Sequence, residues 1–167
     1  MPLSLGMTFA ASASVIGSAM AAGAMAGFSI SAIPAVLGGG ASPSVMAKEW
    51  YIIYNNGKAV PVAALISALS YGTVSYGQYA KASAQWRGFA LAGVLTVAAI
   101  PFTMAVLLPV NNELSAAAQN QQQQEVNKKT MSDDRVRGLV TKWSYLNVVR
   151  LSLPLSGAIV GLWTLLA

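Results

Sequence analysis

Cysteine and histidine are both absent from this chain. Without cysteine there is no disulfide framework, no thiolate nucleophile and no zinc–thiolate site. Without histidine there is no Ser-His-Asp triad, no His-ligated non-haem iron or copper, and no haem with a histidine axial ligand. Charge is scarce as well. Charged residues make up 9% of the chain, where a soluble domain carries roughly 25%. Five are acids, few ligands for a metal held by carboxylates and amides. What is present is apolar: 55% of the 167 residues, with a mean hydropathy of +0.56. That composition excludes disorder. It also excludes an ordinary water-soluble globule, because ten basic and five acidic side chains could not cover its surface. Membrane residence is the economical reading, and the length suits one domain. The net charge of +5 sits in short loops, so it reads as a topology signal rather than a nucleic-acid surface.

Four charge-free runs stand out, at 1–47, 59–80, 88–112 and 151–167. A spanning helix needs about 20 mainly apolar residues. The first run is too long for one span and is broken by Pro34, Gly38, Gly39, Gly40 and Pro43. The expected fold is all-α: an integral-membrane four-helix bundle forming a single membrane domain over 1–167. Its helices fall at about 8–37, 59–80, 88–110 and 132–166. A loop follows the first helix, and a long, polar, partly helical loop lies between the third and fourth. Ser132, Asp133 and Asp134 read as a helix start, so the last helix begins outside the membrane. The Gln121 to Gln124 tract reads as a solvated connector. No Lys or Arg precedes Lys48 and the first apolar stretch is too long for a signal peptide, so it reads as a mature helix.

Lys48, Lys58, Lys128, Lys129, Arg135, Arg137 and Lys142 fall in the first and third loops, against Lys81 and Arg87 in the second. That bias places the first and third loops in the cytosol and both termini across the membrane. The endoplasmic reticulum or another endomembrane is the expected address. Trp50, Trp86, Trp143 and Trp163 all fall near expected helix ends, as an interfacial aromatic belt would. Gly23 with Gly27, and Gly157 with Gly161, form two GxxxG pairs. Such faces serve close packing inside one bundle or, alternatively, a homo-oligomer.

Polar groups at membrane depth are expensive and mark the place to look for chemistry. Ser67, Tyr71, Ser75 and Gln78 share one helical face, which either glues helices together or walls a pocket. Pro101 and Pro109 kink the third helix or loosen its final turns, beside Asn111, Asn112 and Glu113. Trp143, Asn147 and Arg150 lie at i, i+4 and i+7, again one face. Arg150 either snorkels to the surface or faces a cavity shared with Asn111, Asn112 and Glu113.

At these residues the chain resembles the anthrone oxygenase family of small four-helix membrane proteins. The matching elements are Pro101-Phe102-Thr103, then Asn111-Asn112-Glu113-Leu114, then Trp143, Asn147 and Arg150 in a W-x-x-x-N-x-x-R entry to the last helix. The small-residue first helix ending near Pro34 and the loop from Trp50 to Gly57 also fit. The likeness touches the whole chain, with its specific motifs in the second half.

The resemblance implies an oxygenase that converts an anthrone to an anthraquinone with O2, without a bound metal or flavin, in an aromatic polyketide pathway. Its partners would be a planar aromatic polyketide, O2 and the lipid bilayer. Arg150 would stabilise the developing oxyanion. Asn111, Asn112 and Asn147 would hydrogen-bond carbonyl and phenol oxygens. Trp143, Trp50 and Tyr71 would flank the rings. Glu113 is the nearest carboxylate for the base, with Tyr54, otherwise a substrate-binding residue, or water as alternatives. Two other readings stand beside this one: a membrane enzyme of the same fold with another reaction on an aromatic polyketide, and a non-catalytic four-helix membrane scaffold.

Overall fold

The structure, a computed structural model, describes residues 3–119 and 132–167. The Gln121 to Gln124 tract, Lys128 and Lys129 lie outside the described residues. Helices α1 (Leu5–Gly27) and α2 (Ile33–Gly38) flank a π-helical turn, Phe28–Ala32. Helix α3 (Pro43–Asn56) passes through a 3-10 turn, Gly57–Ala59, into α4 (Val60–Ala80). Helices α5 (Trp86–Val97) and α6 (Ala99–Phe102) lead through a second π turn, Thr103–Leu107, into α7 (Leu108–Gln119). Helix α8 spans Asp133–Leu166. Four stretches are long and apolar enough to cross a membrane: Leu5–Gly38, Pro43–Ala80, Trp86–Gln119 and Asp134–Leu166. At 1.5 Å per residue each is about 50 Å or longer, more than the roughly 30 Å hydrocarbon core requires.

The prolines explain the irregular turns. Pro34 has no N–H to donate. The π turn before it shifts the register, so that the Ile33 N–H bonds to the Phe28 carbonyl. In that register Pro34 would meet the Ser29 carbonyl, and the Ser144 hydroxyl donates to it instead at 3.3 Å. Before Pro109 the same shift recurs, with the Leu108 N–H on the Thr103 carbonyl. Pro101 follows the interruption at Ala98 between α5 and α6. The third span is thus loosened at its prolines but continues as helix to Gln119, nine residues beyond the expected end at 110.

A second correction concerns 43–56, expected to be loop and found as α3. Lys48 and Glu49 break the apolar run without breaking the helix. Pro43 occupies the start of α3, where its fixed φ favours a helix and its missing N–H costs nothing.

The chain divides into two compact units. The first comprises Met1–Ala24, Ala59–Pro101 and Arg150–Ala167; the second comprises Met25–Lys58 and Phe102–Val149. In the first unit small residues set the packing. A Cβ on Gly157 would meet Thr96 Oγ1 and, at 2.8 Å, the Ala92 carbonyl. One on Gly161 would run into the Tyr71 ring. Hydroxyls in this unit turn back on their own helices: Ser14 donates to the Ala10 carbonyl at 2.8 Å, Ser18 to Ser14 at 2.7 Å and Thr96 to Ala92 at 2.8 Å. This satisfies them where no water is at hand. In the second unit Ile33, Met46, Trp50, Leu107, Leu114, Val140 and Trp143 form one core cluster.

The tryptophans separate along the same line. Trp163 is 78% exposed and Trp86 opens α5, both consistent with a belt. Trp50 and Trp143 depart from that expectation. They are 0% and 2% exposed, and both sit inside helices rather than at their ends.

Candidate active site

The second unit brings three helices and a π turn together around these two buried tryptophans. Helix α3 supplies Trp50 and, one turn on, Tyr54. Their rings stack with centroids 5.1 Å apart and planes 7° from parallel. Helix α8 supplies Trp143, whose ring meets Trp50 edge to face at 5.9 Å. Helix α7 supplies Asn111, 3% exposed, whose Oδ1 accepts the Trp143 Nε1–H at 2.8 Å. A buried indole N–H needs such a partner, because leaving it unmade costs about 1–3 kcal/mol.

Asn147 is fully buried one turn beyond Trp143. Its Nδ2 donates to the Met25 carbonyl and to Ser29 Oγ, both at 2.8 Å. The Ser29 hydroxyl in turn donates to the Ser144 carbonyl at 3.3 Å. Asn147 therefore pins α8 to the π turn of the first span and fixes where Trp143 stands. Arg137 adds a further tie, donating to the Leu37 carbonyl at the end of α2 at 2.9 Å. At the rim, the Lys58 ammonium lies 5.1 Å from the centre of the half-buried Tyr54 ring.

One polar atom stands apart. The indole Nε1 of Trp50 is buried and, among the described residues, has no hydrogen-bond acceptor. The cluster thus combines aromatic faces, neutral carboxamides and a donor without an acceptor. A donor of this kind could hydrogen-bond an oxygen brought against it. Among the described residues, no three of His, Cys, Asp and Glu are grouped so as to hold a metal ion.

The structure gathers Trp50, Tyr54, Asn111, Trp143 and Asn147 into this one unit. Asn112 is exposed on α7. Glu113 is an ion-pair partner of Arg135 at 2.7 Å, with side chains 43% and 60% exposed. Two residues along a helix point to different sides, so Glu113 turns away from the side of α7 that carries Asn111. Arg150 is half-buried and belongs to the first unit, as does Tyr71. Tyr71 is fully buried there, its hydroxyl 3.3 Å from that of Ser18 and donating to the Gly157 carbonyl at 3.4 Å. On the same face of α4, Ser75 donates to the Trp86 carbonyl at 2.8 Å and Ser67 to the Ala63 carbonyl at 2.9 Å. On that face Tyr71 and Ser75 bond to other helices, while Ser67 bonds back within α4. The sequence reading missed Ser29 and Ser144. The available signal was a serine five residues before Pro34, where the helix needs a substitute donor.

Comparison with known proteins gives the family. The sequence model described as Anthrone oxygenase matches residues 50–160, a range that contains Trp50, Tyr54, Asn111, Trp143 and Asn147. The chain is 32% identical over 155 residues to the anthrone oxygenase AgnL2 of Paecilomyces divaricatus, covering 92% of this chain and 93% of that protein. It is 34% identical over 157 residues to the anthrone oxygenase dmxR16 of Cryptosporiopsis sp., covering 90% and 82%. It is 34% identical over 142 residues to the monooxygenase hypC of Dothistroma septosporum, covering 84% and 74%. No solved structure matches. With relatives so named aligned along most of its length, the chain belongs to the anthrone oxygenase family.

Proposed function

We propose that this chain oxidises an anthrone to an anthraquinone with O2, releasing water, and that it does so without a bound metal or flavin. The reading rests on the family and on the chemistry of the second unit. An anthrone carries an acidic methylene opposite a ring carbonyl. Removing one proton gives an extended anthrolate with its charge on that oxygen. The anion passes an electron to O2, the two radicals join at carbon, and the resulting hydroperoxide loses water to leave the second carbonyl. One methylene and one O2 become one carbonyl and one water, so the reaction balances without another reductant. What the protein must supply is a slot for a flat apolar molecule and stabilisation of the anion.

The observation that carries the reading is the buried Trp50 indole N–H without an acceptor, beside aromatic faces. In the proposal this N–H donates to the substrate oxygen on which charge develops. Trp50, Tyr54 and Trp143 flank the rings. Asn111 holds Trp143 through its indole N–H, and Asn147 acts as a positioning residue. Asn112 contributes at the exposed edge. Arg150, three residues after Asn147 in the sequence, is the cation that the family resemblance offers to favour the anion. Glu113 is less suited to be the base, given Arg135 and its place on α7, and water takes the proton.

The test is O2 consumption by the purified protein with a hydroxylated anthrone, measured against empty micelles, with metal analysis of the same sample. The expected result is acceleration with no stoichiometric metal, and a loss in kcat/KM of about fivefold to tenfold in Trp50→Phe, carried by kcat, the size of one lost hydrogen bond. Acceleration that requires a metal overturns the mechanism. No acceleration by any anthrone overturns the function.

A further inference from the structure

Away from these residues, the first unit has an open depression of about 590 Å³ between α4 and α5, lined by Tyr79, Ala80, Ala82, Ser83, Ala84, Trp86 and Arg87. Its place is set by the membrane. One candidate span, Pro43–Ala80, stops at its edge, and the next, Trp86–Gln119, starts at its far side. The five residues between them link two apolar spans, and Lys81 among them ends the charge-free run 59–80. The wall fits a membrane–water interface: Tyr79 is 63% exposed, and its ring meets Trp86 edge to face at 5.5 Å.

Charge at the depression has one sign. Lys81 and Arg87 flank the turn, and no acid occurs between Lys58 and Glu113. Arg87 is exposed, and its guanidinium lies 5.7 Å from the centre of the Trp86 ring. Among the described residues it has no ion pair, in contrast to Arg135 on Glu113. The turn is closed firmly. Ala82 adopts φ 53°, the left-handed conformation, and the Ala82 and Ser83 N–H groups bond back to Tyr79 and Gln78 at 2.9 and 3.0 Å. Holding alanine there costs about 1–2 kcal/mol that glycine would avoid. Below the depression, α4 presents Tyr76 and Leu69 outward, on the same side of the helix as Tyr79.

We propose that this depression binds the phosphodiester of a bilayer phospholipid. Arg87 faces the phosphate, Ser83 offers a hydroxyl, Tyr79 and Trp86 border the glycerol region, and one acyl chain follows the Tyr76–Leu69 track. An organic phosphodiester with two acyl chains matches both the positive charge and the apolar track. A free inorganic phosphate matches only the first.

Native mass spectrometry of the full chain, released from mild detergent, tests this. Phosphatidylcholine, phosphatidylglycerol and diacylglycerol with identical chains are titrated separately, and inorganic phosphate is added as competitor. The expected result is retention of both phospholipids about fivefold or more above diacylglycerol, matching the effect of one cation on a headgroup charge. Arg87→Gln brings the three lipids level, and Arg87→Lys keeps the preference. Arg87 is exposed, so neither variant threatens the fold. Equal retention of diacylglycerol by the unaltered chain, or an unchanged preference in Arg87→Gln, overturns the proposal. Displacement of the lipid by inorganic phosphate overturns the lipid assignment in favour of a free-anion site.

Discussion

The two units are built from the same four spans and packed by different means. The first relies on glycine, alanine and back-bonded hydroxyls, and Gly157 and Gly161 leave room for Thr96 and the Tyr71 ring. The second relies on large rings and buried carboxamides, with a π turn in each of two spans. Small residues allow close backbone approach and leave little to recognise a ligand. Rings and amides specify position and offer hydrogen bonds, and π turns gather at functional sites in helical proteins. The difference fits the proposed reading, in which the second unit contributes the rings and carboxamides that meet the substrate.

The largest expected effect tests the packing half. Gly157→Leu drives a side chain into Thr96 and the Ala92 carbonyl backbone, so folded protein is lost, as read by size-exclusion profile and thermal melting. Gly23→Leu, at a glycine with nothing within 4 Å, leaves the fold intact. If it also dissociates an oligomer, the Gly23–Gly27 face joins two copies. Next comes Arg150→Gln, where removal of the proposed cation lowers kcat by about a hundredfold, checked by steady-state O2 uptake. Asn111→Leu follows. It strands the Trp143 N–H, destabilises the protein by about 1–3 kcal/mol in a denaturant titration, and lowers turnover with it. The smallest effect is expected of Glu113→Gln. An exposed ion pair contributes about 0–1 kcal/mol, and turnover stays within about threefold if water is the base. A hundredfold loss there would return the base to Glu113.

Much of this was legible in the sequence. Charge-free runs located the four spans, because ions are excluded from hydrocarbon and apolar side chains are not. The face Ser67, Tyr71, Ser75 and Gln78 was readable from helical spacing, and all four are buried. Helix α3 was hidden because charge was read as the end of helix, whereas Lys48 and Glu49 end only the apolar run. Trp50 and Trp143 looked like belt residues because indole suits an interface and a core alike. Only tertiary contact tells which, and each is covered by the other. The pairing of Trp143 with Asn111 joins positions 32 apart and carries no local signature.

The central claim is that the Trp50 indole N–H binds the oxygen of the reacting anion. Replacing Trp50 with β-(3-benzothienyl)alanine exchanges that N–H for sulfur and leaves ring size and stacking nearly unchanged. O2 consumption with a hydroxylated anthrone is then compared with the unaltered protein. The account predicts a loss in kcat/KM of about tenfold with thermal stability kept or raised, because the variant no longer buries a donor without an acceptor. Unchanged kcat/KM in the folded variant would contradict it and return Trp50 to a purely structural role.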